Sequence, residues 1–212
     1  VGISIFKSWA GIVDMLDWLI VGGGIHGVHI AGRLIKEADV DPNRLRIVDP
    51  GQRLLERWRT CTETTGMHNL RSPSVHHLDI DPWALQYFAG KQKLKDRHLF
   101  VPPFNRPALR IFNAHCDHFI KECGLGPLHI KARALDVEVG CDFVSVKLSG
   151  ARVVRSQRVI LAIGASEQPE IPDWVADAEP YIHHVFAPEF DQWPDKIEKV
   201  IVVGGGISAG QV

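Results

Sequence analysis

The chain has 212 residues, with 24 basic against 25 acidic side chains, a net charge of −1 and a hydrophobic fraction of 45%. That length allows one substantial core, or one domain with part of another. The near-neutral balance without a long basic run argues against a nucleic-acid or anionic-membrane surface, and no apolar run reaches the roughly 20 residues of a bilayer span.

Residues 1–14 precede Met15 and are read as an extension of uncertain status, or as an alternative start at Val1. The first organised unit follows. Trp18, Leu19, Ile20 and Val21 form a short apolar run that fits a strand covered on both faces. Gly22, Gly23, Gly24, Ile25, His26 and Gly27 make a glycine turn, after which Ile30, Leu34 and Ile35 recur at helical spacing. Asp41, Pro42 and Asn43 turn the chain into Leu45, Arg46, Ile47 and Val48, a second strand that ends in Asp49 and Pro50. Two parallel strands joined by a helix are a βαβ unit.

Residues 51–80 have weak periodicity and many Thr, His, Ser and Arg, and read as a long polar connection. Asp81 and Pro82 predict the start of a helix carrying Trp83, Leu85, Tyr87 and Phe88. Asn105 and Pro107 predict the start of another, with Leu109, Phe112, Cys116, Phe119 and Ile120 on one face and Gly124 as a left-handed cap.

From His129 the period changes to two. Leu135, Val137 and Val139, then Val144, Val146 and Leu148, then Val153 and Val154 predict a small antiparallel meander, with turns at Gly140 and Gly150. Val159, Ile160, Leu161, Ala162 and Ile163 read as a separate buried strand stopped by Gly164. A proline-punctuated stretch runs from Pro169 to Pro194, and Lys199, Val200, Ile201, Val202 and Val203 lead into another glycine turn. Leu19 to Gly27 and Ile201 to Ala209 are near-repeats, too far apart for a solenoid and better explained as a duplicated nucleotide-binding unit. The predicted fold class is α/β, a Rossmann-like domain with a parallel sheet, a βαβ unit and a small antiparallel meander.

The first turn fits G-x-G-x-x-G at Gly22, Gly24 and Gly27. In that pattern the first glycine permits the tight turn, the second lets a diphosphate approach the backbone, and the third lets helix and strand pack closely. The helix N-terminus offers free amides and a positive dipole to the pyrophosphate. Asp49, at the end of the next strand, is placed to accept hydrogen bonds from both hydroxyls of an adenosine ribose, and its charge disfavours a 2′-phosphate there. Gly23, Ile25, His26 and Pro50 complete the candidate set at this first site.

With the meander placed between the βαβ unit and the strand at Val159, the chain resembles two-dinucleotide flavoproteins. Leu161 to Ser166, with Pro169 and Pro172, is similar to the Ala-Thr-Gly segment of flavin-dependent monooxygenases and related reductases, with Ile163 standing where Thr is usual. Gly204, Gly206 and Ala209 resemble the NAD(P)H motif of the same families. Gly66 to Pro73, followed by His76, His77, Leu78 and Asp79, is similar to the loop that approaches the flavin ring in lysine and ornithine N-hydroxylase-like enzymes. The resemblance implies FAD and NAD(P)H as cofactors, with Arg71 offering charge to flavin or nicotinamide and with Leu135 and Gly164 as further FAD contacts. It implies an FAD-binding domain over 15–172, a connector over 173–198, and the beginning of an NAD(P)H-binding domain over 199–212. On that reading the chain covers about the first half of such an enzyme.

The implied activity is an NAD(P)H-dependent monooxygenation at a nitrogen or sulfur of a small-molecule substrate. The alternatives are a flavin reductase without oxygenation, or a non-catalytic nucleotide-binding remnant. No catalytic residue is assigned, because the cofactor carries the hard chemistry. Cys61, Cys116, Cys123 and Cys141 have neither zinc nor redox-pair spacing, so disulfide-reductase chemistry is disfavoured and Cys116 and Cys123 are expected to be buried thiols. Few cysteines point to a reducing cytoplasm. No metal is expected: His76, His77, His183 and His184 are adjacent pairs, and His115 with His118 is expected in a surface or cap role. His184 with Trp193 and Pro194 departs in spacing from the Baeyer–Villiger signature, and that function is not carried over. No nucleic-acid or membrane partner is expected, and homo-oligomer formation is left open.

Overall fold

The computed structural model describes residues 15–92, 99–164, 169–178, 182–187, 190, 193 and 199–212. Among these residues eight strands and four α-helices form in the order β1 (Leu16–Val21), α1 (Ile25–Lys36), β2 (Leu45–Asp49), α2 (Glu56–Thr64), α3 (Ala84–Lys91), β3 (Phe100–Val101), β4 (Arg106–Pro107), α4 (Leu109–Glu122), β5 (His129–Lys131), β6 (Ala134–Val139), β7 (Val144–Leu148) and β8 (Arg152–Leu161). Six strands make one sheet in the order β5-β2-β1-β8-β7-β6, and β3 pairs with β4 in a small hairpin. β5, β2, β1 and the second half of β8 are parallel, with Ile20 opposite both Ile47 and Ile160.

β1 is apolar on both faces because both are covered. Ile20, Leu45 and Ile47 pack with Val28 and Ala31 of α1 and with Ile111, Phe112 and Phe119 of α4. Leu19, Val21 and Val48 meet Ala132, Val146, Leu148 and Val154 instead. The parallel strands therefore lie between a helical layer and the meander, which is the arrangement that a continuous hydrophobic strand requires.

The antiparallel meander forms as expected from β6, β7 and the first half of β8. Two expectations about its surroundings are corrected. Residues 129–131 belong to the parallel sheet, since Ile47 pairs with His129 and Asp49 with Lys131. Val153, Val154, Val159 and Ile160 lie on one strand rather than two, because β8 changes partner without breaking. Ser156 is the shared point, opposite Val144 on one side and Leu16 on the other. The polar run Arg155 to Arg158 contains no Gly, Pro, Asn or Asp and simply continues the pleat. The end of this strand is also less buried than expected, with Leu161 60% and Ile163 69% exposed. Among the described residues β8 pairs with β1 alone from Arg158 onward, so one edge lies open.

Helix boundaries show where tertiary contacts override local signals. The polar connection contains α2, whose sequence ERWRTCTET carries no apolar period. Its ties are to α4: Trp58 Nε1 donates to Asn113 at 3.1 Å, Arg59 pairs with Asp117 at 2.6 Å, and Trp58 packs on Phe112. α3 begins at Ala84, two residues later than Asp81–Pro82 suggested; the Asp81 carboxylate still accepts the Trp83 amide at 2.9 Å. α4 begins at Leu109, because Asn105 adopts φ 48 in the turn of the β3–β4 hairpin instead of opening a helix. Gly124, at φ 62, closes α4 as expected. Unlike Leu19 to Val21 in the first near-repeat, Ile201 to Val203 form no strand: Val200, Ile201, Val202 and Val203 are exposed and have no strand partner among the described residues.

Candidate functional site

The glycine turn sits at the carboxyl end of β1, between β2 and β8. Gly22 has φ 112 and donates its amide to Val48 O at 2.8 Å. A Cβ there would lie 2.3 Å from the carbonyl oxygen of Ala162, so both conformation and space demand glycine. A Cβ on Gly27 would lie 1.9 Å from Gly22 O, which brings α1 directly against the turn. Gly24 differs: nothing lies within 4 Å of its Cβ position. It is the N-cap of α1 and makes no side-chain cap, and no acidic residue occupies the first turn. The first-turn amides of Ile25, His26 and Gly27 have no intrahelical partner, so the positive end of the helix faces outward uncapped.

Asp49 closes the site from β2. Its Oδ2 accepts the Gly23 amide at 2.7 Å and its Oδ1 accepts the Gly51 amide at 2.9 Å. Two carboxylate oxygens offer about four acceptor positions, so capacity remains for two hydroxyls. The backbone oxygen of Asp49 accepts the Ala132 amide at 3.1 Å, which ties the end of β5 to the same point. Glu56 is a second carboxylate here: its Oε2 accepts the Gln52 amide at 2.7 Å. A Cβ on Gly51 would be 2.9 Å from both Asp49 Oδ1 and Glu56 Oε2, so the two acids flank one glycine. Glu56 escaped the sequence reading; its spacing four residues after Gln52, at a helix start, is the signal that could have found it.

A cleft of about 300 Å³ opens beside the start of α1, lined by Ile25, His26, His29, Trp58, Leu70 and Phe112 among others. Ser72, His76 and His77 of the following loop also reach it. Arg71 is exposed next to Leu70 and Ser72. Of the other predicted residues, Gly164 lies just past Ala162, which abuts Gly22, and Pro50 is exposed at the bend after β2. Leu135 lies on β6, 60% exposed where the register slips between Ala134 and Asp136, and takes no part in the contacts described at the turn.

Behind the cleft, His115 is 1% exposed, which corrects its expected surface role. Its ring meets His77 and Phe88 edge-on, and Nδ1 has no hydrogen-bond partner among the described residues. Burial pushes its pKa down to about 4, with the neighbouring His77 acting in the same direction. Cys116 and Cys123 are buried as expected, and burial raises their thiols to about 12 and about 11.

The second glycine turn stands apart from the first. Gly204 has φ 138, and a Cβ there would be 3.7 Å from that of Ala209. Gly206 O accepts the Gly210 amide at 3.2 Å and Ile207 O accepts it at 3.1 Å, and the residues after Gly206 form turns without continuing into a regular helix. Together with His183, His184, Phe186 and Trp193, this segment lines a second cavity of about 840 Å³. The region before it is pinned to α2: Arg57 donates to Phe186 O, and Trp193 Nε1 donates to Thr64 O at 2.9 Å. Among the described residues no His, Cys, Asp and Glu group could hold a metal ion, and no helix is long and apolar enough to cross a membrane.

The profile of an FAD-NAD(P)-binding family matches residues 19–166. Among solved structures, a flavin-containing monooxygenase from Stenotrophomonas maltophilia is similar at TM-score 0.51 and 18% identity, over 76% of this chain and 42% of that one. OTEMO in complex with FAD and NADP is similar at TM-score 0.54 and 16% identity, over 74% of this chain and 27% of that one. A cyclohexanone monooxygenase variant from Rhodococcus sp. Phi1, bound to NADP+, is similar at TM-score 0.53 and 13% identity, over 74% and 28%. At these identities the likeness is one of fold, and the chain spans less than half the length of each. No curated protein matches the chain.

Proposed function

The chain belongs to the FAD-NAD(P)-binding family, and from that premise we propose that it is the FAD-holding part of an NAD(P)H-dependent flavin oxidoreductase, a monooxygenase acting on a nitrogen or sulfur of a small molecule. One observation carries the nucleotide half of this reading. The Gly24 side of the turn is open, the N-terminus of α1 is uncapped, and Asp49 stands beside both with acceptor capacity to spare. An anionic diphosphate linked to a ribose matches that donor and acceptor set.

In this reading the amides of Gly24, Ile25, His26 and Gly27 hold the diphosphate, and Asp49 accepts the ribose hydroxyls. The cleft lined by Trp58, Leu70 and Phe112 gives the far end of the cofactor, or its substrate, a largely apolar wall. Bound flavin supplies electron transfer and oxygen chemistry that side chains lack. Residues 15–172 then form the FAD-binding domain, 173–198 a connector, and 199–212 the beginning of an NAD(P)H-binding unit around Gly204, Gly206 and Ala209.

The choice of monooxygenase over disulfide reductase is supported by the cysteines. A disulfide reductase needs an accessible thiolate with a partner cysteine beside it, whereas Cys116 and Cys123 are buried with strongly raised thiols, burial also raises the thiol of half-buried Cys61, and exposed Cys141 has no cysteine at redox-pair spacing. The N-hydroxylase-like character rests on the Gly66 to Asp79 loop, of which Leu70, Ser72, His76 and His77 line the cleft. Fluorescence titration with FAD tests the first half of the proposal: saturable binding is expected, and a chain that leaves flavin fluorescence unchanged rules it out. Coupling of NAD(P)H oxidation to an oxygenated amine or thioether tests the second half. Release of peroxide alone would favour a reductase.

A further inference from the structure

We propose that Asp49 is also a positioning residue: its carboxylate clamps the glycine turn into the shape that presents amides to a diphosphate, whether or not a ribose is present. This rests on the nucleotide reading above and goes beyond the ribose contact. Gly23 is held at both of its backbone groups, by the last residue of β2 and by the segment that follows β2. Its amide donates to Asp49 Oδ2 at 2.7 Å, across 26 positions of sequence, and its carbonyl accepts the Leu55 amide at 2.8 Å. A trans peptide points its N–H and C=O in opposite directions. Drawing the Gly23 amide toward Asp49 therefore turns the Gly22 carbonyl the other way, toward Gly27, whose Cβ position is 1.9 Å from it. Holding the Gly23 carbonyl on Leu55 likewise aims the Gly24 amide away from Leu55.

Space enforces the same arrangement. Gly23 is buried, and a Cβ there would be 2.9 Å from both Asp49 Cβ and Leu54 Cδ2. The Gly51 amide on Asp49 Oδ1 is an ordinary local turn contact. The Gly23 bond is not local, and a hydrogen bond to a charged acceptor is among the stronger kinds.

The test uses the whole chain and two probes, ADP and 2′,3′-dideoxy-ADP, which lacks the ribose diol. Calorimetric titration of Asp49→Ala is expected to show both nucleotides weakened by at least about 10-fold, the scale of a lost charged hydrogen bond. Asp49→Asn keeps one acceptor for the Gly23 amide and is expected to restore dideoxy-ADP binding to within a few-fold of the unaltered chain. Dideoxy-ADP binding that is unaffected by Asp49→Ala, while ADP binding falls, overturns the clamp and leaves the ribose contact standing. Failure of the unaltered chain to bind either nucleotide overturns the nucleotide reading and the clamp together. Hydrogen exchange of the Gly23 amide in the unaltered chain needs no variant: protection is expected, and exchange as fast as a free surface amide overturns the proposal.

Discussion

Gly27 lies so close under Gly22 that a Cβ on the first would sit 1.9 Å from the carbonyl oxygen of the second. The obstructing atom is backbone at the end of a buried strand, so it cannot swing aside. Gly27→Ala is therefore expected to push α1 off the sheet and to destabilise the fold by about 3 kcal/mol, the upper range for overpacking. Urea unfolding measures this, with a shifted midpoint at unchanged slope as the expected result.

A second close approach lies far from the turn. A Cβ on Gly32 of α1 would be 2.2 Å from Cζ of Phe119, which is fully buried in α4. Alanine gains roughly 1 kcal/mol of helix propensity over glycine, but overpacking costs about 1–3 kcal/mol. The clash is expected to win in Gly32→Ala. Adding Phe119→Leu should recover part of the loss, and a double-mutant cycle with zero coupling between the two sites would contradict this packing.

Acid is expected to loosen the protein through His115. Its pKa is about 4 when folded, against an ordinary value near 6.5 in the unfolded chain. Between those values the unfolded chain binds the extra proton first, so stability is intact above about pH 6.5 and declines toward about pH 4. The full effect is on the order of 3 kcal/mol. His77, also lowered by burial, acts in the same direction. His115→Phe keeps the ring contacts to His77 and Phe88 and removes the titrating group. It is expected to flatten the pH dependence of the melting temperature, and an unchanged slope would contradict the assignment.

The glycine turn was readable in the sequence because each of its residues answers to one local rule. Gly22, Gly24, Gly27 and Asp49 occur at fixed offsets from two apolar strands, and the structure brings them together as expected. The meander was equally visible, since Val144, Val146 and Leu148 alternate cleanly. What local pattern concealed was decided by distant contacts. α2 has no apolar stripe and takes its place through Trp58 and Arg59 against α4. β8 is continuous because Ser156 is satisfied by two different neighbours. Asn105 and Pro107 carry helix-start chemistry, yet a hairpin claims them. His115, read in a surface or cap role, is enclosed by Phe88 and His77, which lie far from it in sequence.

Gly24 separates stability from binding, and so tests the central claim most directly. It has φ −77, which alanine adopts freely, and nothing lies within 4 Å of its Cβ position. Gly24→Ala is therefore expected to leave stability within about 1 kcal/mol of the original, the gain from a restricted unfolded chain offsetting alanine's poorer performance at the N-cap. If a diphosphate meets the backbone there, the added methyl occupies its place, and FAD affinity should fall by about tenfold or more, roughly 1.4 kcal/mol. Titration of the variant with FAD alongside a denaturation curve gives both readings. Unchanged stability with lost affinity is the predicted result, and FAD binding as tight as in the unaltered chain would contradict the account.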